Sequence, residues 1–357
     1  MTKRKHILVI RFSALGDIAM TVPVVYAVAM QYPDVRITML SRPYARPLFE
    51  DLAPNVSFMA ADVKGEYHGV RGLNSLYRRL VAKQFTHVAD LHNVLRTEYL
   101  RLRFNMGRQR VEHIDKHRSL RRHLLKPGRY QERQPLPSSF QNYLDVFSRL
   151  GFPVDKPLFT SIFPPEGGNL NMLPAAIGPK RTWEQWIGIA PFAAHRAKTY
   201  PPELTEQVIT MLAKQYPQAR FFLFGRGSCE DHWFGQWCRQ CPRCVNVGAH
   251  LESLHQELIL MSHLDVMLSM DSSNMHLASL AAVPVVSIWG ATHPSAGFLG
   301  WGQQADNAIG LDLDCRPCSI YGQKACRRGD YACLSGITPQ TIVDKVNLII
   351  NNNKKPL

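Results

Sequence analysis

The chain has 357 residues, of which 45% are hydrophobic and 20% charged, and its formal net charge is +14. This length favours two domains, and the composition excludes a disordered or collagen-like chain. No apolar run reaches the length of a membrane span, since the longest, Ile18 to Met30, carries Thr21, Pro23 and Tyr26.

The first six residues, Met1 to His6, run into an apolar stretch without a signal-peptide core. A cytoplasmic protein is therefore expected. Strand one is predicted over Ile7–Arg11, followed by the turn Phe12–Asp17 and a helix from about Ile18 to Gln31. Gly16 permits a tight turn there. Asp17 stands at the helix start, where it reads either as a helix cap or as a carboxylate presented at a strand end. Strands follow at Val35–Leu40, Val56–Met59 and His87–Leu91, with helices opening at Ser41 and running from Gly72 to Lys83. This alternation predicts a parallel sheet covered on both faces.

The next segment is strongly basic. From Arg96 to Arg133 there are twelve Arg or Lys against four acids, a net +8. Leu95 to Phe104 reads as an amphipathic helix, Arg108–His113 as a strand, and Lys116 to Lys126 as a charged stretch with little apolar character. Such a run suits an anionic partner: nucleic acid, an acidic membrane surface or a phosphorylated substrate. It also suits a plain solvated face. A helix over Ser138–Leu150 precedes the Pro- and Gly-rich stretch 151–178, which reads as the crossing between domains. The expected domains are 1–165 and 183–337, with 166–182 as the linker.

The second half restarts the alternation. Ile187–Pro191 is a predicted strand, and the loop Phe192–Tyr200 carries Arg196 and Lys198. A helix follows with Pro near its first position. Arg220–Phe224 is a strand ending in Gly225-Arg226-Gly227, followed by helices over Glu230–Arg239 and Leu254–Ser262. Next, Val266–Leu268 is a strand, Asp271-Ser272-Ser273-Asn274 a polar turn, and Met275 onward a helix with His276 one turn in. Asp, Ser and Asn cap helices well, and the amides of a first turn also receive phosphate. An ordinary capped helix and a phosphate-binding turn both fit. Val285–Trp289 is the next strand, and Thr338-Pro339 opens the last helix.

All eight cysteines lie in this half, in the clusters Cys238-x2-Cys241-x2-Cys244 and Cys315-x2-Cys318-x7-Cys326-x6-Cys333 with Cys229 apart. A cytosolic chain argues against disulfides. Four thiolates at 315, 318, 326 and 333 offer a structural zinc option, with reduced thiols packing a loop as the alternative. No G-x-G-x-x-G or P-loop motif occurs, which argues against a dinucleotide oxidoreductase or P-loop NTPase.

Two strand-first α/β halves suggest facing nucleotide folds with a cleft at their strand ends. Loops 13–17, 192–198 and 271–276 would supply a carboxylate, a lysine, an arginine and a helix N-terminus. A cation beside first-turn amides can stabilise a departing nucleoside diphosphate, and a carboxylate can take a proton from an attacking hydroxyl. That set fits metal-free glycosyl transfer from a nucleotide sugar. A nucleotide-sugar epimerase of the same fold and a nucleic-acid-binding module are the alternatives. No base-stacking motif supports the latter.

Two motifs carry a family likeness: Ile10-Arg11-Phe12-Ser13-Ala14-Leu15-Gly16-Asp17 with Pro23, and Met270 to Ala278 with Ser287 to Pro294. They resemble glycosyltransferase family 9, the ADP-heptose:lipopolysaccharide heptosyltransferases. The resemblance implies a GT-B fold, with a C-terminal helix (338–357) packing back on the first domain. It implies an inverting displacement with no required cofactor and an ADP-sugar as the expected donor. Asp17 would be the general base and Lys198 the phosphate cation. Arg196, Gly225, Gly227, Asp271, Ser272, Ser273, Asn274 and His276 would bind the donor. Arg11, Ser13, Arg118, Arg121 and Arg122 would serve an anionic glycolipid acceptor at the inner membrane surface, with no nucleic acid involved.

Overall fold

The computed structural model describes residues 4–126 and 134–353. Arg129 and Arg133 of the basic run, and the end of the tail, lie outside the described residues. The chain divides into two compact units: 1–117 with 137–162, and 118–136 with 163–357.

The first unit is built on β1 (His6–Ile10), β2 (Arg36–Ser41), β3 (Val56–Ala60), β4 (His87–Asp90) and β5 (Arg110–His113). All pair in parallel, in the order β3-β2-β1-β4-β5. β1 is apolar and fully buried because helices cover both faces. The covering helices are α1 (Leu15–Ala19), α2 (Val22–Gln31), α3 (Gly69–Val81) and α4 (Leu95–Met106). α3 shows how the sequence chooses its face: Leu73, Leu76 and Leu80 recur at helical spacing and are buried, while Arg71, Arg78 and Arg79 point outward. The single helix expected over 18–31 is two. Thr21 separates them, its hydroxyl donating to the Ile18 carbonyl at 2.7 Å, and Pro23 sits in the first turn of the second helix.

The charged stretch after Lys116 forms a short helix, α5 (Arg118–Leu124), and it groups with the second unit. The expected boundary at 165 is therefore crossed by this excursion. α6 (Ser139–Arg149) returns to the first unit, its N-terminus capped by Ser138.

The second unit holds β6 (Trp186–Ala190), β7 (Arg220–Leu223), β8 (Cys244–Asn246), β9 (Val266–Met270), β10 (Val285–Ile288) and β11 (Ala308–Ile309). They too are parallel, ordered β11-β10-β9-β6-β7-β8. Its helices are α7 (Pro202–Gln215), α8 (Ser228–Gln240), α9 (Val247–His250), α10 (Leu254–Met261), α11 (Ser273–Leu280), α12 (Ala332–Ser335) and α13 (Pro339–Asn353). The apolar face of α13, Ile342, Val343, Val346, Ile349 and Ile350, lies in the core of the second unit, and the helix packs on α7, β9 and β10. Burying five aliphatic side chains there is worth about 1.5–3 kcal/mol each before entropy is counted. Among the described residues, no helix is long and apolar enough to cross a membrane.

Candidate active site

In each open parallel sheet, the first strand of the unit has neighbours whose connections leave in opposite directions. Ligands of such sheets bind outside the carboxyl ends of the strands at that point. In the first unit the point lies between β1 and β4. Asp90, fully buried at the end of β4, accepts the amides of His92 and Asn93 at 2.9 Å each and fixes the turn into α4. Arg101 Nε lies 3.2 Å from its other oxygen. That turn brings His92 Nε2 to 3.3 Å from Ser13 Oγ on the β1 side. Arg11 crosses the gap, donating to the carbonyls of Leu91 at 2.6 Å and Ser13 at 2.8 Å.

Arg11 also meets Asp17, at 2.6 Å. The Asp17 carboxylate accepts the Ala14 amide at 3.1 Å and so occupies the third position of α1, not the cap. The guanidinium is the sheltered partner, its side chain 9% exposed, and the carboxylate is the open one, at 26%. Tyr143 holds the Asp17 carbonyl from α6. Burial, then the charges of Arg11 and Lys116, bring the His92 pKa down to about 3, so this imidazole is neutral in ordinary conditions. Its Nδ1 is buried with no hydrogen-bond partner among the described residues. Leaving such a group unsatisfied costs about 1–3 kcal/mol.

The second unit turns between β6 and β9. Lys198 Nζ, on the loop after β6, lies 3.0 Å from Asp271 Oδ2 at the end of β9. Thr292 adds its hydroxyl to the same oxygen at 2.7 Å. The exposure is reversed: the carboxylate is 6% exposed and the lysine 16%. The lysine loop is pinned from outside and from within. The Ala291 amide donates to the Ala197 carbonyl at 2.9 Å, and Arg196 donates to the Thr199 carbonyl at 2.8 Å. Gly322 lies against the lysine stem, where a Cβ would fall 2.4 Å from Lys198 Cδ. Ser272 caps α11 through its backbone only, its hydroxyl lying 3.3 Å from that of Ser269. The first-turn amides therefore have no side-chain cap. Ser273 and Asn274 are half-buried in that turn, and His276 is buried at its fourth position.

Residues 73–327 match the family model described as glycosyltransferase family 9 (heptosyltransferase). The chain belongs to glycosyltransferase family 9. Over 89 residues it is 27% identical to lipooligosaccharide heptosyltransferase 2 of Campylobacter jejuni, a match spanning 25% of this chain and 27% of that relative. Its structure is similar to that of Escherichia coli ADP-heptose LPS heptosyltransferase II, with TM-score 0.68 and 19% identity, over 98% of this chain and 100% of the other. It is also similar to the family 9 glycosyltransferase of Veillonella parvula DSM 2008, with TM-score 0.75 and 18% identity, over 99% of both chains. The fold is the one expected, the GT-B plan of two Rossmann-like α/β domains.

Within this family frame, the residues named from the sequence divide into three groups. Arg11, Ser13 and Asp17 come together, and so do Lys198, Asp271 and the turn 272–274. Gly225 and Gly227 lie past the end of β7, next to β6; Gly227 has φ +138°, and a Cβ there would meet Glu230 Oε2 at 2.9 Å. Arg196 stacks over Tyr331 at 4.8 Å. Arg118 and Arg122 are exposed on α5, in the unit opposite to the one expected. Arg121 is engaged there, donating to the Tyr321 hydroxyl and lying over the rings of Phe298 and Tyr321 at 5.5 and 5.6 Å.

Cys315, Cys318, Cys326 and Cys333 line one cavity with Arg316 and Arg327, but no three His, Cys, Asp or Glu side chains gather as a metal site among the described residues. Burial raises Cys318 and takes Cys333 up to about 11, so these groups are protonated thiols. Arg316 organises that loop, donating to the carbonyls of Trp289, Gly290 and Thr292 at 2.6–3.0 Å. Sequence reasoning passed over Asp90, His92, Thr292 and Arg316. Only the first two carry a readable signal: an Asp two residues before a His, at the end of a buried strand, is the pattern of an Asx turn.

Proposed function

We propose that the protein transfers a sugar, heptose from ADP-heptose, onto an anionic glycolipid acceptor of the lipopolysaccharide core type, with inversion and without a metal. The observation that carries this reading is the reversed exposure of the two ion pairs. One strand-end pair offers its carboxylate and the other its cation. In this reading Asp17 removes the proton of the attacking hydroxyl, while Arg11 orients it. Ser13 and the neutral His92 are neighbours able to hydrogen-bond that hydroxyl without competing for the proton. Proton transfer to a positioned base contributes about 10²–10⁴-fold.

On the donor side, Lys198 neutralises charge building on the departing diphosphate. Asp271 and Thr292 hold the ammonium in place. The first-turn amides of α11, from Ser273 and Asn274 onward, take phosphate oxygens. Arg196 and the turn at Gly225 and Gly227 contact the rest of the nucleotide. Attack from the side opposite the leaving diphosphate inverts the anomeric carbon. The similar E. coli protein is an ADP-heptose LPS heptosyltransferase, which favours that donor.

The test is calorimetry against ADP-, UDP- and GDP-sugars with and without EDTA, followed by product analysis with a core glycolipid. Binding of the ADP-sugar unaffected by chelation, and an inverted product, are expected. Loss of binding on chelation, or sugar released or isomerised from donor alone, would overturn the reading.

A further inference from the structure

The proposed transfer leaves the outer face of α4 unused. Leu95, Leu102 and Met106 on this helix are 86%, 59% and 74% exposed. At 100° per residue these positions fall within about 40° of each other, so they form one stripe. Leu100 and Phe104 of the same helix are buried, so the core is already served by another face. A surface helix ordinarily keeps its outer face polar.

The surroundings of the stripe are cationic. α3 packs beside α4, with Arg103 Nη1 2.9 Å from Asn74 Oδ1 and the rings of Tyr77 and Phe104 5.2 Å apart. Residues 69–83 and 95–110 carry nine Arg or Lys, at 71, 78, 79, 83, 96, 101, 103, 108 and 110, against the single acid Glu98. Arg71, Arg78, Lys83 and Arg108 are exposed.

We infer that this face docks on an anionic lipid bilayer, the stripe entering the headgroup boundary and the basic residues meeting acidic headgroups. An apolar stripe in a basic frame has the chemistry of an interfacial helix. A second copy of the chain is a poorer occupant, because a two-fold contact would set the exposed Arg71, Arg78, Lys83 and Arg108 against a surface carrying the same cations. The inference deepens the proposed function in one respect. α4 leaves the carboxyl end of β4, and Leu95 follows His92 by three residues, so the stripe begins at the sheet edge that holds Asp17. A lipid-borne acceptor would arrive at that edge.

The test is flotation of the full chain with vesicles of phosphatidylcholine alone and with phosphatidylglycerol added. The expected result is binding that requires the anionic lipid and weakens with salt. The triple variant Leu95→Ser, Leu102→Ser, Met106→Ser should lose at least about tenfold in partitioning while keeping its melting temperature. The variant Arg71→Gln, Arg78→Gln, Arg108→Gln should lose the dependence on anionic lipid. Nucleotide binding and transfer to a soluble acceptor fragment should be unchanged in both, which separates failure of docking from failure of the transfer reading. Vesicle binding that is absent, or unaltered in the triple variant, would overturn the inference. So would a concentration-dependent dimer abolished by the same three substitutions.

Discussion

The two sheets end in the same device with its polarity reversed. Each places an acid and a base side chain about 3 Å apart beyond its first strand, Arg11 with Asp17 and Lys198 with Asp271. In the first pair the cation is sheltered and the anion open. In the second the anion is sheltered and the cation open. Burying a charge is costly unless it is paired, so the sheltered member of each pair serves as a fixed support. The open member is the one left accessible. A shared architecture has thus been given opposite chemistry by which residue is placed on the strand end and which on the loop.

This contrast can be broken at either end. The largest effect is expected for Asp17→Asn, which should cut turnover by about 10²–10⁴-fold and leave nucleotide affinity unchanged, as read by steady-state kinetics beside calorimetry. Next is Lys198→Ala. It removes the open cation but leaves Asp271 with Thr292, and should raise the ADP dissociation constant by about 10–100-fold. Gly322→Ala sharpens the comparison without touching a charge. A methyl group there collides with the lysine stem at a residue with φ +79°, so donor affinity should fall about 3–10-fold while the acceptor KM stays fixed.

A smaller effect concerns pH. His92 titrates at about 3 and His87 at about 4 in the fold, both lowered chiefly by burial. An unfolded histidine titrates near 6.5. Between those values the unfolded chain binds protons that the native chain does not, so stability is full above about pH 6.5 and is lost as pH falls, by up to about 1.4 kcal/mol per pH unit for each group. The melting temperature should therefore decline from pH 7 to pH 5, and less steeply in His92→Gln.

Much of the fold was legible because buried parallel strands are short apolar runs, and the helices between them show one apolar face. What escaped did so for identifiable reasons. The break at Thr21 lies in a largely apolar stretch, and the helix start that Pro23 marks there does not show in the periodicity. β8 is three residues long and was hidden in the Cys238–Cys244 spacing. α5 has almost no apolar face of its own and is held by Arg121 against Phe298 and Tyr321, residues far away in sequence. The core that α13 joins in the second unit was not readable, because a helix's apolar face does not name its partner. Asp17, Lys198 and Asp271 could each be named from the sequence as candidates. The pairing of Lys198 with Asp271, the sheltering of Arg11 and the clearance at Gly322 depend on contacts that no single sequence displays.

The central claim is the division of labour between the open carboxylate and the open ammonium. Asp17→Asn and Lys198→Ala, each assayed for ADP-sugar binding by calorimetry and for transfer to a core glycolipid, test it side by side. The account predicts a crossed result, with Asp17→Asn binding donor normally and failing to transfer, and Lys198→Ala losing donor affinity. Normal transfer by Asp17→Asn, or unchanged donor affinity in Lys198→Ala, would contradict it.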